Sequence, residues 1–328
     1  MKTRNLFMNA LGVFIALILA GTVASATTIT VLETFDFPGT GNNTLPQKIN
    51  DNGLIVGIVV DSAGVSKGWL RGRSGNFSQA FSEPLDTGNL TNGRGINNAR
   101  VVNGEYLDGV AGTFHGYRLF QGTFSEYDVP NATNTVPLGI NNLGSFCGNI
   151  VLSDGSSPAF LNIAANVTRF SVPDAIATLA YSINSSNQVV GYYVDADGVT
   201  LHGYLRASDG TLTFPVDVAG ATATILFANN DANWVVGRYT DSSGVTHGLF
   251  FQTPDDIRTF DFPGAAGFTS LNGVNQGGLV SGRYLDSGGI AHGFLGKIVS
   301  GAAQPEESKS PVTPVKPAYP VRLGAPAL

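Results

Sequence analysis

The sequence is poor in the residues that staple or ligate. It holds one cysteine, Cys147, with two methionines and two tryptophans in 328 residues. A disulfide framework and a thiolate metal cluster are both excluded by that cysteine count. Charged residues make up only 13% of the chain, about half the usual share. With a formal net charge of −6 and no Lys/Arg cluster, the chain is a poor partner for nucleic acid. No G-x-S-x-G, H-E-x-x-H or phosphate-loop pattern is present, so the familiar catalytic signatures are missing. Glycine is in excess instead, with 42 residues that follow no collagen period. A hydrophobic content of 43% excludes a disordered chain.

Lys2 and Arg4 precede an apolar run from Leu11 to Ala20, followed by the small-residue site Ala24-Ser25-Ala26. This reads as a secretory signal peptide over residues 1–26, cleaved before Thr27. The run is too short for a membrane span, and no cysteine follows the site to carry a lipid. Loss of Lys2 and Arg4 leaves the mature chain more acidic still. The expected location is outside a bacterial cell or in its periplasm. Residues 303–328 hold six prolines with Glu, Lys and Ser, and read as a disordered tail.

Between these ends lies a six-fold repeat. Gly57, Gly104, Gly148, Gly191, Gly237 and Gly282 end similar triplets at spacings of 47, 44, 43, 46 and 45 residues. Seven positions before each stands an asparagine: Asn50, Asn97, Asn141, Asn184, Asn230 and Asn275. Four positions after stands Asp61, Asp108, Asp195, Asp241 or Asp286, with Asp154 displaced in the third copy. His-Gly follows in four copies, at His115, His202, His247 and His292; Lys67 and Pro158 replace the histidine elsewhere. A proline column (Pro38, Pro84, Pro130, Pro173, Ala219, Pro263) closes each unit.

Each unit reads as four short antiparallel strands. In the fourth copy these are 178–183, 188–194, 200–205 and 212–218, broken by Asn, Gly, Asp and Ser, with no helical periodicity. Asn-x-x-Gly or Asn-x-x-Asn turns join the first two strands and need residues that tolerate positive φ. Arg100 takes that place in the second copy, so a different turn is expected there. Four strands at a 45-residue period predict a six-bladed β-propeller over residues 27–302. Thr34–Gly39 recurs letter for letter at Thr259–Gly264. The N-terminal strand is therefore expected to pair onto the last blade and close the ring.

These columns resemble the bacterial extracellular repeat proteins of the HAF family, whose units carry I-N-x-x-G-x-x-x-G and H-[AG]-F. The matching stretches are Ile49-Asn50…Gly53…Gly57, Ile140-Asn141…Gly144…Gly148 and His292-Gly293-Phe294. Departures are Lys67-Gly68-Trp69, Pro158-Ala159-Phe160, and Asn229 where an apolar residue belongs. The resemblance implies secretion and a repeat fold, and no particular reaction.

For the histidine column a structural role is expected, each ring bonding the aspartate six or seven residues earlier. Equivalent third-strand positions on neighbouring blades lie on the order of 15 Å apart, too far to share a metal. Calcium is conceivable only at Asp195-Ala196-Asp197-Gly198, which lacks the rest of a twelve-residue loop. No cofactor is expected. Cys147 falls in a valine column and reads as an inert buried thiol.

Function is sought where copies differ. After the key glycine come Ile58, Glu105, Asn149, Tyr192, Arg238 and Arg283, which either pair between blades or line a polar site. Trp69, Arg71, Arg73, Arg94 and Arg100 make a locally basic, aromatic stretch: an exposed tryptophan there would stack on sugars or peptides, but a core tryptophan with solvated arginines is the favoured reading. The loops 39–44, 61–64, 86–91, 130–135, 195–198 and 264–269 are placed on one face. Candidate ligand contacts are Asn42, Asn43, Asp61, Asn89, Arg94 and Trp69. The leading expectation is a secreted, monomeric, non-catalytic module binding an extracellular glycan or protein. The alternative is a glycan-active hydrolase or lyase, which would need two carboxylates converging near the axis.

Overall fold

The computed structural model describes residues 27–39, 41 and 43–300. Apart from one short 3-10 turn at Pro254–Asp256, the regular elements there are strands. The expected leader, the proline-rich tail and Asn42 lie outside the described residues. No helix among the described residues is long and apolar enough to cross a membrane.

Every unit begins with a hairpin. The first strands are β2 (Asn43–Ile49), β5 (Thr91–Ile96), β9 (Ala132–Ile140), β13 (Ala177–Ile183), β17 (Ala223–Asn229) and β21 (Thr269–Val274). Their partners are β3 (Ile55–Val60), β6 (Val102–Asp108), β10 (Phe146–Leu152), β14 (Val189–Val194), β18 (Val235–Thr240) and β22 (Leu279–Leu285). The third strands follow outward: β4 (Ser66–Arg71), β7 (Thr113–Phe120), β11 (Ala159–Ile163), β15 (Leu201–Arg206), β19 (Thr246–Phe251) and β23 (Ala291–Ser300). Fourth strands β8 (Thr123–Tyr127), β12 (Asn166–Phe170), β16 (Leu212–Val216) and β20 (Arg258–Phe260) edge units two to five.

The first and last units depart from this plan. In the first, the fourth position is an irregular segment held by two isolated bridges, Gly68–Phe81 and Arg71–Phe77. In the last, the fourth strand is β1 (Thr27–Phe35), which runs antiparallel to β23 from Thr27–Ser300 to Phe35–Gly293. Arg71 of the first unit is buried and grips Glu33 of β1 through two hydrogen bonds of 3.1 and 2.8 Å. Single parallel bridges, such as Leu201–Ala223 and Thr246–Phe268, tie a third strand to the next unit's first strand.

The glycine column has a packing cause. A register shift interrupts every first hairpin next to the key glycine, as between Ala180 and Ser182. This bulge pushes a first-strand carbonyl onto the glycine: a Cβ on Gly191 would lie 1.9 Å from Leu179 O, and on Gly104 1.8 Å from Asn92 O. A third-strand aromatic covers the same spot, with Trp69 or Phe294 within 2.4 Å of the added Cβ on Gly57 or Gly282.

The asparagine column links the units through a cycle of hydrogen bonds. Each Oδ1 accepts backbone N–H groups of its own turn, as Asn50 does from Asn52 and Leu54. Each Nδ2 donates to the backbone carbonyl of the next unit's asparagine: Asn50 to Asn97, then on through Asn141, Asn184, Asn230 and Asn275. Asn275 donates back to Asn50 at 3.1 Å. An amide is required because the position needs an acceptor and a donor together. The second-copy turn is the same as the others, contrary to expectation. Arg100 simply adopts φ +62°, as Asn187 (+58°) and Gly53 (+77°) do.

Candidate functional site

The interior of this cycle is lined by one variable column. Three positions before each ring asparagine stand Gln47, Arg94, Leu138, Tyr181, Phe227 and Asn272. Five of them, all but Leu138, line a cavity of about 320 Å³. Gly64, Gly88, Asn89 and Leu90 contribute from the loops, so it faces the second-to-third-strand side. Arg238 and Arg283 reach the same space from the second strands. At the opposite end, the asparagine turns surround a smaller cavity of about 70 Å³ that Lys48 enters.

Why Lys48 sits there follows from the bulge. At its position the other copies hold Gly95, Gly139, Ser182, Ala228 and Gly273, because the first strands crowd together: a Cβ on Gly273 would lie 2.9 Å from Lys48 Cα. Lys48 spans this narrow waist. Its Nζ bonds the Asn272 carbonyl at 3.3 Å and lies 5.8 Å from the Tyr181 ring. Burial, reinforced by the Arg94 charge and only partly offset by Cys147, brings the ammonium pKa down to about 7.

The cationic groups are held in two ways. Arg94 is ion-paired with Glu105 of its own unit, Nε lying 2.9 and 3.0 Å from the two carboxylate oxygens. Asn92 donates to the same carboxylate at 2.7 Å. Burial opposes the charge on Arg94, but Glu105 outweighs it and holds the guanidinium firmly protonated. Arg238 and Arg283 flank the Phe268 ring, each with Cζ 5.4 Å from its centroid. Of the charges that follow the key glycines, Glu105 thus pairs within its unit, while the two arginines line the cavity.

The sequence-derived candidates scatter. Arg94 and Asn89 line the cavity, Asn89 at its exposed rim with φ +56°. Asn43 is buried and accepts the Ala291 N–H at 2.9 Å, tying the first unit to the last. Asp61 folds back on its own turn, accepting from the N–H groups of Ala63 and Val65. Trp69 is fully buried and cannot meet a ligand, which corrects its place among the candidate contacts. It occupies the aromatic column of Tyr117, Phe160, Tyr204 and Phe294, and packs against Phe35, Phe37 and Phe77. Arg71 is committed to Glu33, and Arg73 and Arg100 lie along an open groove away from the cavity. Cys147 is buried, its thiol pushed up to about 12 by that burial. The Asp197 carboxylate caps its own loop through the Val199 and Thr200 N–H groups.

The histidines form a repeated cluster, but with a different principal partner. Nδ1 of His115, His202, His247 and His292 bonds Asp128, Asp217, Asp261 and Asp36 at 2.6–2.8 Å. These aspartates lie two residues before the proline column, and Ser82 and Ser171 stand there in the copies without histidine. The aspartate six residues earlier is a weaker, second contact, at 3.4 Å for His247 and 3.3 Å for His292. A tyrosine stacks on each ring: Tyr106, Tyr193, Tyr239 and Tyr284, at 4.9–5.4 Å. His115, Glu126 and Asp128 bring ligand-type atoms within 4.8 Å of one another. The His–Asp bond recurs in three other units, so it belongs to the repeat.

Compared with protein-family models and with curated protein sequences, the chain matches none. Solved structures do resemble it. AofleA from Arthrobotrys oligospora superposes with a TM-score of 0.53 at 10% identity, over 85% of this chain and 91% of that one. TolB from Acinetobacter baumannii gives 0.51 at 11% identity, over 81% of this chain and 66% of that one. The chain is all-β and propeller-like. A lectin from Aleuria aurantia, described as a six-bladed β-propeller, gives 0.45 at 10% identity over 80% of this chain and 96% of that one. At such identities the likeness of a propeller-like chain to AofleA and TolB concerns the fold alone.

Proposed function

We propose that this chain is a secreted, six-bladed, non-catalytic binding propeller, a HAF-type repeat protein whose ring is completed by its N-terminal strand. An extracellular glycan or protein docks on the face bearing the loops between second and third strands. The carrying observation is the 320 Å³ cavity, which opens among Gly64, Gly88, Asn89 and Leu90. Its volume suits one small ligand or one residue of a larger one. Variable side chains line it, whereas the opposite face is built from near-identical asparagine turns. Recognition concentrates where copies differ.

A hydrolase or lyase finds less support. Glu105, bonded to the lining residues Arg94 and Asn92, is locked between them. Two converging carboxylates are what glycoside cleavage requires. The reading is tested by exposing the purified chain to polysaccharides and scoring both retention and cleavage. Hydrogen exchange of a retained complex should protect Gly64 and 88–90. Protection confined to the asparagine turns, or cleavage without retention, would overturn the proposal. Export is checked by N-terminal sequencing of the released chain, expected to begin at Thr27.

A further inference from the structure

One side chain in the waist is not accounted for by the repeat. Where Lys48 stands, the other five copies hold Gly95, Gly139, Ser182, Ala228 and Gly273, so the fold asks only for a small residue there. Lys48 lines the cavity of about 70 Å³, and it keeps accessible surface while Gln47 and Ile49 beside it are buried. Its Nζ also lies against Asn272 and Tyr181, which line the 320 Å³ cavity. The amine therefore stands between two spaces that a small molecule can enter.

Its surroundings disfavour a proton. Among the described residues, no carboxylate pairs with Lys48. Asp51 lines the same cavity but accepts instead from the Asn98 and Asn142 side chains and the Gln276 N–H. The charged and titratable groups facing Lys48 are Arg94 from β5, Cys147 from β10 and Tyr181 from β13. Arg94 is a cation, and Cys147 is a buried thiol that donates to the Ala180 carbonyl. What holds the amine is the neutral Asn272 carbonyl at 3.3 Å and the Tyr181 ring. A lysine desolvated beside another cation keeps its lone pair near neutral pH, and such lysines add to carbonyl groups.

We infer that Lys48 is a nucleophilic amine that captures a small aldehyde, of two or three carbons, as a Schiff base. The Nζ lone pair adds to the carbonyl carbon and forms the C–N bond. The carbonyl oxygen then leaves as water with both amine protons, giving a neutral imine without any oxidant or reductant. About 70 Å³ is room for about two waters, which sets the size of the aldehyde and excludes a closed sugar ring. A neutral product also removes the cost of an unpaired ammonium in a low-dielectric waist. This goes beyond the proposed binding role and does not depend on it.

The test treats the full chain with glycolaldehyde and cyanoborohydride, which reduces the imine to a stable secondary amine. Peptide mass spectrometry then maps the adduct, with exposed Lys67 of the same molecules as internal reference. At pH 7 about half of Lys48 is neutral, against about one in three thousand for a lysine of ordinary pKa. Lys48 should be labelled at least tenfold faster than Lys67 at pH 7, and the ratio should fall several-fold by pH 10. Benzaldehyde, too large for the cavity, should label Lys67 and spare Lys48. Labelling of Lys48 no faster than Lys67 at pH 7 would overturn the inference. So would a preference that is the same at pH 10, since access and not the free lone pair would then select the site. Equal labelling of Lys48 by both aldehydes would overturn the size assignment. Polysaccharide retention judges the binding role separately, whichever result is found.

Discussion

Asn275 donates its side-chain amide to the backbone carbonyl of Asn50, 225 positions away in the chain, at 3.1 Å. The bond is chemically the same as the one between Asn50 and Asn97, which are neighbours in the repeat. The last unit therefore meets the first as any unit meets the next.

This equivalence makes a measurable statement. Asn275→Ala and Asn184→Ala each remove one link between units and the Oδ1 cap of a turn. Each should cost about 2–3 kcal/mol, as read from urea unfolding. A much smaller loss for Asn275→Ala than for Asn184→Ala would show that the junction between last and first units contributes little.

The N-terminal strand should be needed for that junction. Deleting residues 27–38 strips the ladder from β23, leaves Arg71 without Glu33 and takes Asp36 from His292. The exposed edge is expected to drive association, seen as early elution in size-exclusion chromatography. Glu33→Gln keeps the strand and should cost only about 1–2 kcal/mol, because Glu33 is partly solvated. A truncated chain that stays monomeric with unchanged melting would rule out this closure.

The histidine clusters should make stability depend on pH. His247 has its pKa raised by the hydrogen bond to Asp261, which outweighs burial. For His292, burial opposes the charged ring but the bonds to Asp36 and Asp286 win. A raised folded value gives stabilisation that is complete below the unfolded pKa, about 6.5, and is lost as pH rises through the folded value. Asp241 and Asp286 are lowered, although burial pulls the other way, by turn N–H groups and these histidines. Their contribution holds above the ordinary carboxylate range and fades as pH falls through the folded value. The melting difference between the wild type and a His247→Asn/His292→Asn double variant should therefore be widest between about pH 4 and 6.5 and narrower at pH 8. A difference independent of pH would mean that the rings act only by packing.

Lys48 should cost the fold stability. With a folded pKa of about 7 against an ordinary value of 10.5, its burial penalty is full below neutral pH and shrinks as pH rises toward that ordinary value. Lys48→Met keeps the chain length and discards the charge. Its melting temperature at pH 6 should rise by about 2–4 °C per kcal/mol recovered, with the gain diminishing by pH 9. A loss of stability at both pH values would show that the ammonium holds the waist together through Asn272.

Much of this architecture was legible in the repeat. The asparagine and glycine columns mark the turns and the close approaches because each does a job no other residue type does as well. Thr259–Gly264 repeating Thr34–Gly39 announced the displaced strand. The histidine's main partner was legible too, since tyrosine and aspartate appear in the copies that have histidine, while Val59, Ser82, Ile150 and Ser171 stand in those that lack it. The core reading of Trp69 holds, and its column, shared with Tyr117 and Phe294, marks it so; only its place among the candidate ligand contacts fails. What only the tertiary structure decided is the cavity. A bulge beside every key glycine breaks the two-residue alternation of the first strand, so side-chain direction there does not follow from counting. That offset turns Arg94, Tyr181 and Asn272 toward one cavity, and Lys48 into the waist beneath it. Local pattern set the units, and their packing against one another brought distant charges together.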